Sequence, residues 1–184
     1  MANENDIETP VLKAIVEVES CGAGFYPLES EFAGKCKVRF EADYFQKFAG
    51  TRPFFLPPSL TVEAAKNDPK YNGRMAYEQA ILQSPASAIK ATSFGLGQIM
   101  GFNYERAGYS SLIDFSNAME ACEGNQLRAF VNFITSNPAL LVAAQQRDFV
   151  TIARLYNGIN YLTRGYDKKL LSAYQALSRK KVPA

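Results

Sequence analysis

The 184-residue sequence contains no histidine, and this absence excludes more chemistry than any residue that is present can establish. Without histidine, Ser-His-Asp and Cys-His systems lack their general base, and zinc hydrolases lack their commonest metal ligand. Carboxylate chemistry is unaffected, and glycoside cleavage needs only carboxylates. We therefore expect no metal site and no cofactor.

Cysteine is scarce as well. Cys21, Cys36 and Cys122 form an odd set without CxxC spacing, which favours neither a disulfide framework nor a metal site. Reduced thiols are the expectation. The alternative is one disulfide bond, between Cys21 and Cys36, which is geometrically conceivable after export.

Long apolar runs are also missing: none approaches the roughly 20 residues that span a bilayer. The N-terminus, Met1 to Pro10, is polar and acidic and has neither the basic nor the apolar region of a signal peptide. We expect no signal peptide and no stable membrane insertion.

Charge of one sign is not concentrated anywhere. The 20 Lys and Arg are scattered among 18 Asp and Glu, for a net charge of +2. The one local basic cluster, Arg179, Lys180 and Lys181, is interpreted as the solvated end of a last helix, because a nucleic-acid surface needs a basic stripe with interleaved aromatic residues. We therefore expect no nucleic-acid partner.

The chain is long enough for one substantial core and too short for two ordinary domains. With no repeat or linker in view, we predict a single domain over residues 1–184 and a monomer. Helical patterns dominate, so the predicted fold class is mainly α (α+β), with a small β-hairpin or short sheet near residues 35–45. The strand at Lys37 to Glu41 rests on alternating side chains, and the prolines from Thr51 to Leu60 predict a loop.

The predicted helices follow from caps and apolar periodicity. The first has Thr9 at its N-cap and Pro10 at its first position, and it ends at Gly22 and Gly24. Asp43 is predicted to cap a short helix that runs through Phe48. The remaining predictions are 74–83, 85–91, 111–122, 125–135, 138–145, 148–156 and 166–178.

Glu19 lies in the middle of the apolar side of the first helix, at about 100° per residue, whereas Glu17 falls on the opposite side near Lys13. Burial of a carboxyl against apolar surface raises its pKa towards the values that general-acid catalysis near neutral pH requires. From the helix alone, a partner arginine or backbone amides explain Glu19 equally well.

Three motifs in order decide between these alternatives: Glu19-Ser20, then Ser93-Phe94-Gly95-Leu96-Gly97-Gln98-Ile99-Met100, then Tyr156-Asn157-Gly158. From about Val11 to Tyr174 the chain resembles the N-acetylmuramidase domain of phage endolysins, which is similar to goose-type lysozymes and lytic transglycosylases. The resemblance implies a lysozyme-like fold and peptidoglycan as the partner. No separate wall-binding domain is expected.

The resemblance also implies roles for individual residues. Glu19 matches the catalytic acid that protonates the oxygen between N-acetylmuramic acid and N-acetylglucosamine. Ser93, Gln98 and Met100 match the lining of the glycan cleft, where an amide holds substrate through paired hydrogen bonds. Tyr156 and Asn157 match the motif that faces the glutamate. As alternatives, Gly95 and Gly97 relieve crowding where a helix begins, and Tyr156 is a core aromatic residue.

Departures from the common pattern concern the cleft wall and leave the acid in place. Phe94 stands where many relatives have Trp, Gly97 replaces a larger residue, and Ala42 and Asp43 follow Glu41 where many relatives have Arg and His. They bear on the preference for substrate.

Glu41 is the candidate second carboxylate, because it ends the predicted strand and its side chain alternates away from Val38 and Phe40. The alternative is a salt bridge from Glu41 to Arg39 or to a nearby lysine. If Glu41 only orients water or substrate, Glu19 acts alone as acid and then base.

The sequence thus predicts a glycoside hydrolase. The alternatives are a lytic transglycosylase that leaves 1,6-anhydro ends and a glycan-binding module without catalysis. The expected location is synthesis in the cytoplasm of a phage-infected or prophage-bearing bacterium and action on the wall in the periplasm. Release by a holin and secretion as an antibacterial effector both fit the missing signal peptide.

Overall fold

The computed structural model describes residues 5–179, so the first four residues of the polar N-terminus, and Lys180 and Lys181 of the basic cluster, lie outside the described residues. Within that range the chain is mainly helical with a small antiparallel sheet, which confirms the predicted fold class. The helices are α1 Thr9–Ser20, α2 Ala42–Ala49, α3 Val62–Ala65, α4 Pro69–Asn72, α5 Arg74–Gln83, α6 Pro85–Lys90, α7 Leu112–Ala121, α8 Glu123–Thr135, α9 Pro138–Gln146, α10 Phe149–Asn157 and α11 Tyr166–Arg179. The strands are β1 Val38–Phe40, β2 Thr92–Phe94 and β3 Ile99–Met100.

Helix α1 begins one residue earlier than predicted. Its N-cap is Glu8, so the prediction of Thr9 as the N-cap is wrong, and Pro10 still lies in the first turn, where a missing N–H costs no intrahelical bond. The helix ends at Ser20, and its C-cap Cys21 adopts the left-handed conformation with φ of 55° and donates its N–H to the Glu17 carbonyl at 3.0 Å. Glu19 therefore lies in the last turn.

The sheet has the order β1-β2-β3, with both pairs antiparallel. The strand predicted at Lys37 to Glu41 is confirmed in the shorter form β1, and its partners come from the motif at residues 93–100. Pairing of Arg39 with Ser93, and of Ser93 with Met100, places these three residues in one row. Side chains alternate along a strand, so this row lies on the face opposite the buried Phe94 and Ile99.

Asp43 does not cap α2. The N-cap is Glu41, because the chain turns directly from β1 into the helix, and Asp43 falls in the first turn, where it accepts a hydrogen bond from Lys66 at 3.0 Å. The region from Thr51 to Leu60 forms no helix or strand, as predicted. The short helices α3 and α4 were not predicted; side chains of Thr61 and Asp68 cap them.

The core lies between the sheet and the helices and is rich in phenylalanine. Phe40, Phe94, Phe115 and Phe130 are fully buried. Among the described residues no single helix is long and apolar enough to cross a membrane. Helices α8 and α9 have the length and composition for it only when taken together, but they are bent by 102° and both bury side chains in this core.

Candidate active site

Glu19 lies at the end of α1 with its carboxyl in a groove, whereas Glu17 and Lys13 are exposed elsewhere on the helix. Burial raises the pKa of Glu19 to about 7, from the usual 4.5. A hydrogen bond from Asn157, and the charges of Arg39 and Lys169, lower the pKa and offset part of this shift. The carboxyl is thus shielded from water without being paired to a cation.

The partner of Glu19 is the neutral amide of Asn157, the last residue of α10. Its Nδ2 donates to Oε1 of Glu19 at 2.6 Å. The Oδ1 atom of the same amide is buried and has no hydrogen-bond partner among residues 5–179. Asn157 therefore fixes the position of the carboxyl through a neutral donor and not through an ion pair.

The groove around Glu19 has a volume of about 360 Å³. It brings together every predicted site residue except Tyr156. Its lining consists of Val18, Glu19, Arg39, Glu41, Ser93, Gln98, Met100, Asn157, Arg164 and Tyr166. It continues past Glu41, Asn157 and Arg164 along the segment that joins α10 to α11, where the further lining residues are Tyr44, Lys66, Gly158, Ile159 and Asn160.

Glu41 lies in the same groove, but it forms the ion pairs that the sequence left as its alternative role. Its Oε1 is 3.0 Å from Nε of Arg39, and its Oε2 is 3.9 Å from Nζ of Lys66. Burial raises the pKa of Glu41, while the charges of Arg39 and Lys66 lower it. A carboxylate held between two cations is positioned firmly and can face a developing positive charge.

Gln98 and Ser93 line the groove, yet their polar atoms are largely used inside the protein. Oε1 of Gln98 accepts from the Ser93 hydroxyl at 2.9 Å, and its Nε2 donates to the Gly95 carbonyl at 3.0 Å. Gln98 also has a φ of 46°, which is uncommon for a residue other than glycine. These bonds close the turn between β2 and β3, so Gln98 shapes the cleft wall and its amide is already occupied.

Tyr156 lies behind the groove and not in its lining. Its hydroxyl donates to the carbonyl of Gly97 at 2.5 Å, and its ring packs against Phe130 and Phe133. The geometry thus favours the alternative, a core aromatic residue. It also explains the small residue at position 97: a Cβ there would lie 2.7 Å from Phe130 and 3.0 Å from the Tyr156 hydroxyl.

No helix begins at Gly95 and Gly97, contrary to one interpretation of these glycines. Gly95 adopts a φ of 67° in the turn between β2 and β3, and a Cβ there would meet the side chain of Gln126 at 2.5 Å. Gln126 is 1% exposed, accepts from the Leu96 N–H at 3.0 Å and donates to the Met119 carbonyl at 2.8 Å. This buried amide anchors the turn to α8.

Sequence reasoning missed Gln126, Arg164 and Tyr166 as contributors to the site. Arg164 and Tyr166 enter the groove from the loop after α10 and from the start of α11, and no periodic pattern marks them. Gln126 had one indirect signal, the nearby glycines 24 and 95, which leave room for its amide. In the described part of the chain, no cluster of three or more His, Cys, Asp or Glu is arranged to hold a metal ion.

The three cysteines are free thiols, with Cys21 and Cys122 exposed and Cys36 buried. Burial raises the pKa of Cys36 to about 12. Its thiol donates to the Lys37 carbonyl at 3.4 Å, and its N–H donates to Glu120 at 3.1 Å. Cys36 is therefore a structural residue of the core beside the sheet.

Comparisons with known proteins agree with this geometry. The family model described as N-acetylmuramidase matches residues 8–178. A crystal structure of the endolysin of Burkholderia phage AP3 superposes with a TM-score of 0.73 at 31% identity, over 97% of this chain and 67% of that one. A search of curated proteins found no match. The chain therefore belongs to the N-acetylmuramidase family and is a peptidoglycan-degrading enzyme with an endolysin-like fold.

Proposed function

We propose that the chain hydrolyses the β-1,4 bond between N-acetylmuramic acid and N-acetylglucosamine, with Glu19 as the general acid. One observation carries this proposal: the Glu19 carboxyl is buried in an open groove, its pKa is raised to about 7, and its partner is an amide and not a cation. Such a group keeps its proton near neutral pH and can give it to the oxygen of a leaving sugar.

Glu41 is the proposed second carboxylate. In glycosidases the partner carboxylate either attacks the sugar carbon or activates water, while its negative charge stabilises the oxocarbenium-like transition state. Glu41 shares the groove with Glu19, and the ion pairs with Arg39 and Lys66 hold its position and offset part of the rise in its pKa that burial causes. We assign it charge stabilisation and the orientation of water.

The same ion pairs also favour a second candidate reaction. If Arg39 and Lys66 engage Glu41 too closely for it to activate water, Glu19 acts alone, first as acid and then as base. The muramic acid 6-hydroxyl then attacks its own anomeric carbon. That reaction is the lytic transglycosylase alternative, and its product is a 1,6-anhydro end without added water.

Product analysis separates these reactions. Purified sacculi are digested with the protein, the new reducing ends are reduced with borohydride, and the fragments are identified by mass spectrometry. The proposal predicts reduced muramic acid at the new ends. Reduced glucosamine would show that the other glycosidic bond is cut, and fragments lighter by one water that resist reduction would show the transglycosylase reaction.

The third alternative, a binding module without catalysis, predicts that the protein sediments with sacculi and releases no fragment.

As for location, we propose synthesis in the bacterial cytoplasm and action on the wall from the periplasmic side. Clearing of permeabilised Gram-negative cells, but not of intact cells to which the protein is added from outside, is the result this location predicts.

A further inference from the structure

A second groove shares one lining residue, Arg39, with the Glu19 groove. It has a volume of about 600 Å³ and runs between the loop that follows α1 and helix α4. Because Arg39 lines both grooves, the second groove is adjacent to the one that holds Glu19. We call it the Lys70 groove; Tyr26, Glu31, Phe32, Lys70 and Asn72 are among its lining residues.

Two opposite charges in the Lys70 groove have no ion-pair partner among residues 5–179, and the Lys70 ammonium lies 5.3 Å from the ring centroid of Tyr71. Glu31 and Lys70 are both exposed, and within residues 5–179 neither forms a salt bridge or a side-chain hydrogen bond to a charged group. Arg74, which also lines the groove, is different, because Glu78 and Glu120 bind its guanidinium at 2.8 and 2.5 Å. Glu31 and Lys70 are therefore the charges available to a ligand.

The walls supply apolar contact between these charges. The rings of Tyr26 and Phe32 lie 5.5 Å apart on the loop side, and Met75 is 47% exposed on the helix side. A ligand that fits this groove carries both a cation and an anion on a partly apolar chain. The N-acetylated sugars of the glycan have no ionised group, since the lactyl carboxyl of muramic acid is amide-linked to the stem peptide.

The stem peptide has the required chemistry, because it bears free carboxylates and, where it contains a diamino acid, a free ammonium group. We propose that the Lys70 groove binds the stem peptide of the muramic acid residue held beside Glu19, with Lys70 facing a peptide carboxylate and Glu31 facing the ammonium. This inference rests on the proposed function. It makes the enzyme selective for peptide-bearing glycan over bare glycan.

The test compares two soluble substrates made from the same glycan strands, one with stem peptides and one stripped of them by an amidase and then capped at the freed lactyl carboxyl as a methylamide, so that the bare strand is uncharged. The measurement is kcat/KM for the release of new reducing ends. Wild type is expected to prefer the peptide-bearing strands. The double variant Glu31→Ala/Lys70→Ala is expected to lose roughly 3- to 10-fold on those strands and to cleave bare strands as wild type does.

Lys13→Ala and Glu17→Ala are matched controls, since both residues are exposed on α1 and line neither groove. Equal kcat/KM of wild type on the two substrates overturns the inference. An equal loss by the double variant on both substrates also overturns it, because the groove then binds sugars. Cleavage of neither substrate by wild type refutes the proposed function itself, which keeps the two failures distinguishable.

Discussion

The side-chain amide of Asn157 donates a hydrogen bond of 2.6 Å to Glu19, and this contact joins the ends of α10 and α1 across a separation of 138 residues. It lowers the pKa of a carboxyl that burial has raised, so the two effects act against each other on the same proton. The groove thereby holds an acid whose pKa of about 7 suits proton transfer at neutral pH.

Removal of this bond should move the pH dependence of the reaction in a known direction. In Asn157→Ala the carboxylate form of Glu19 loses a donor, so its pKa rises and the alkaline limb of the kcat/KM profile shifts to higher pH. Asn160→Ala is the matched control, since Asn160 is exposed in the continuation of the groove. A limb that stays in place or moves to lower pH would show that Asn157 does not tune this proton.

Glu19 should also make the folded state less stable at high pH. Its carboxyl titrates near 7 in the folded protein and near 4.5 when unfolded, so the free energy of unfolding falls as pH rises between these values. Glu19→Gln carries no such penalty, and we expect it to be more stable than wild type at about pH 8, by up to about 3 kcal/mol, with the difference vanishing towards about pH 4.

Urea denaturation of both proteins at the two pH values measures this difference. Glu17→Gln is the control, because Glu17 is exposed on the same helix. A Glu19→Gln variant that is equally or less stable than wild type at the higher pH would contradict the burial of this carboxyl as the cause of its raised pKa.

The hydroxyl of Tyr156 should matter for stability. Tyr156→Phe leaves the Gly97 carbonyl without its donor, and we expect a loss of about 1 to 2 kcal/mol in the free energy of unfolding. Tyr104→Phe removes an exposed hydroxyl that donates to the exposed Glu105, so its effect should stay within about 0.5 kcal/mol. Equal losses in the free energy of unfolding for the two variants, measured by denaturation, would contradict a stabilising role for the hydrogen bond to Gly97.

Gln126 should be sensitive to substitution, because its amide is buried and hydrogen-bonded within the core. Gln126→Ala leaves the Leu96 N–H and the Met119 carbonyl unpaired inside the core and opens a cavity, which together should cost about 2 to 4 kcal/mol. The thermal midpoint measures the loss. Gln146→Ala, on the exposed side of α9, is the control and should unfold as wild type does.

Helices could be predicted from the sequence because their signals are local. The predicted bounds of α5 are reproduced, and α9 ends one residue later than predicted, since proline, caps and periodicity mark their ends. The strands β2 and β3 could not be found in this way. They have three and two residues, too few for an alternating pattern to stand out, and β1, the other partner of β2, lies more than fifty residues upstream.

For the site, periodicity identified the buried position of Glu19, and the resemblance to muramidases identified the segments that meet it. What the sequence could not supply was the use of each polar atom. The Gln98 amide is occupied by Ser93 and Gly95, and the Tyr156 hydroxyl by Gly97, because the turn between β2 and β3 brings them within reach. Such pairings depend on tertiary geometry and leave no trace in spacing.

The most direct test of Glu19 as the acid is the rate at which Glu19→Gln releases reducing muramic acid ends from purified sacculi, relative to wild type and to Glu17→Gln. The substitution keeps the shape of the side chain and removes the proton donor. We expect the rate to fall by roughly 10²-fold or more in a folded variant, while Glu17→Gln retains full activity. Release by Glu19→Gln at the wild-type rate would contradict the account.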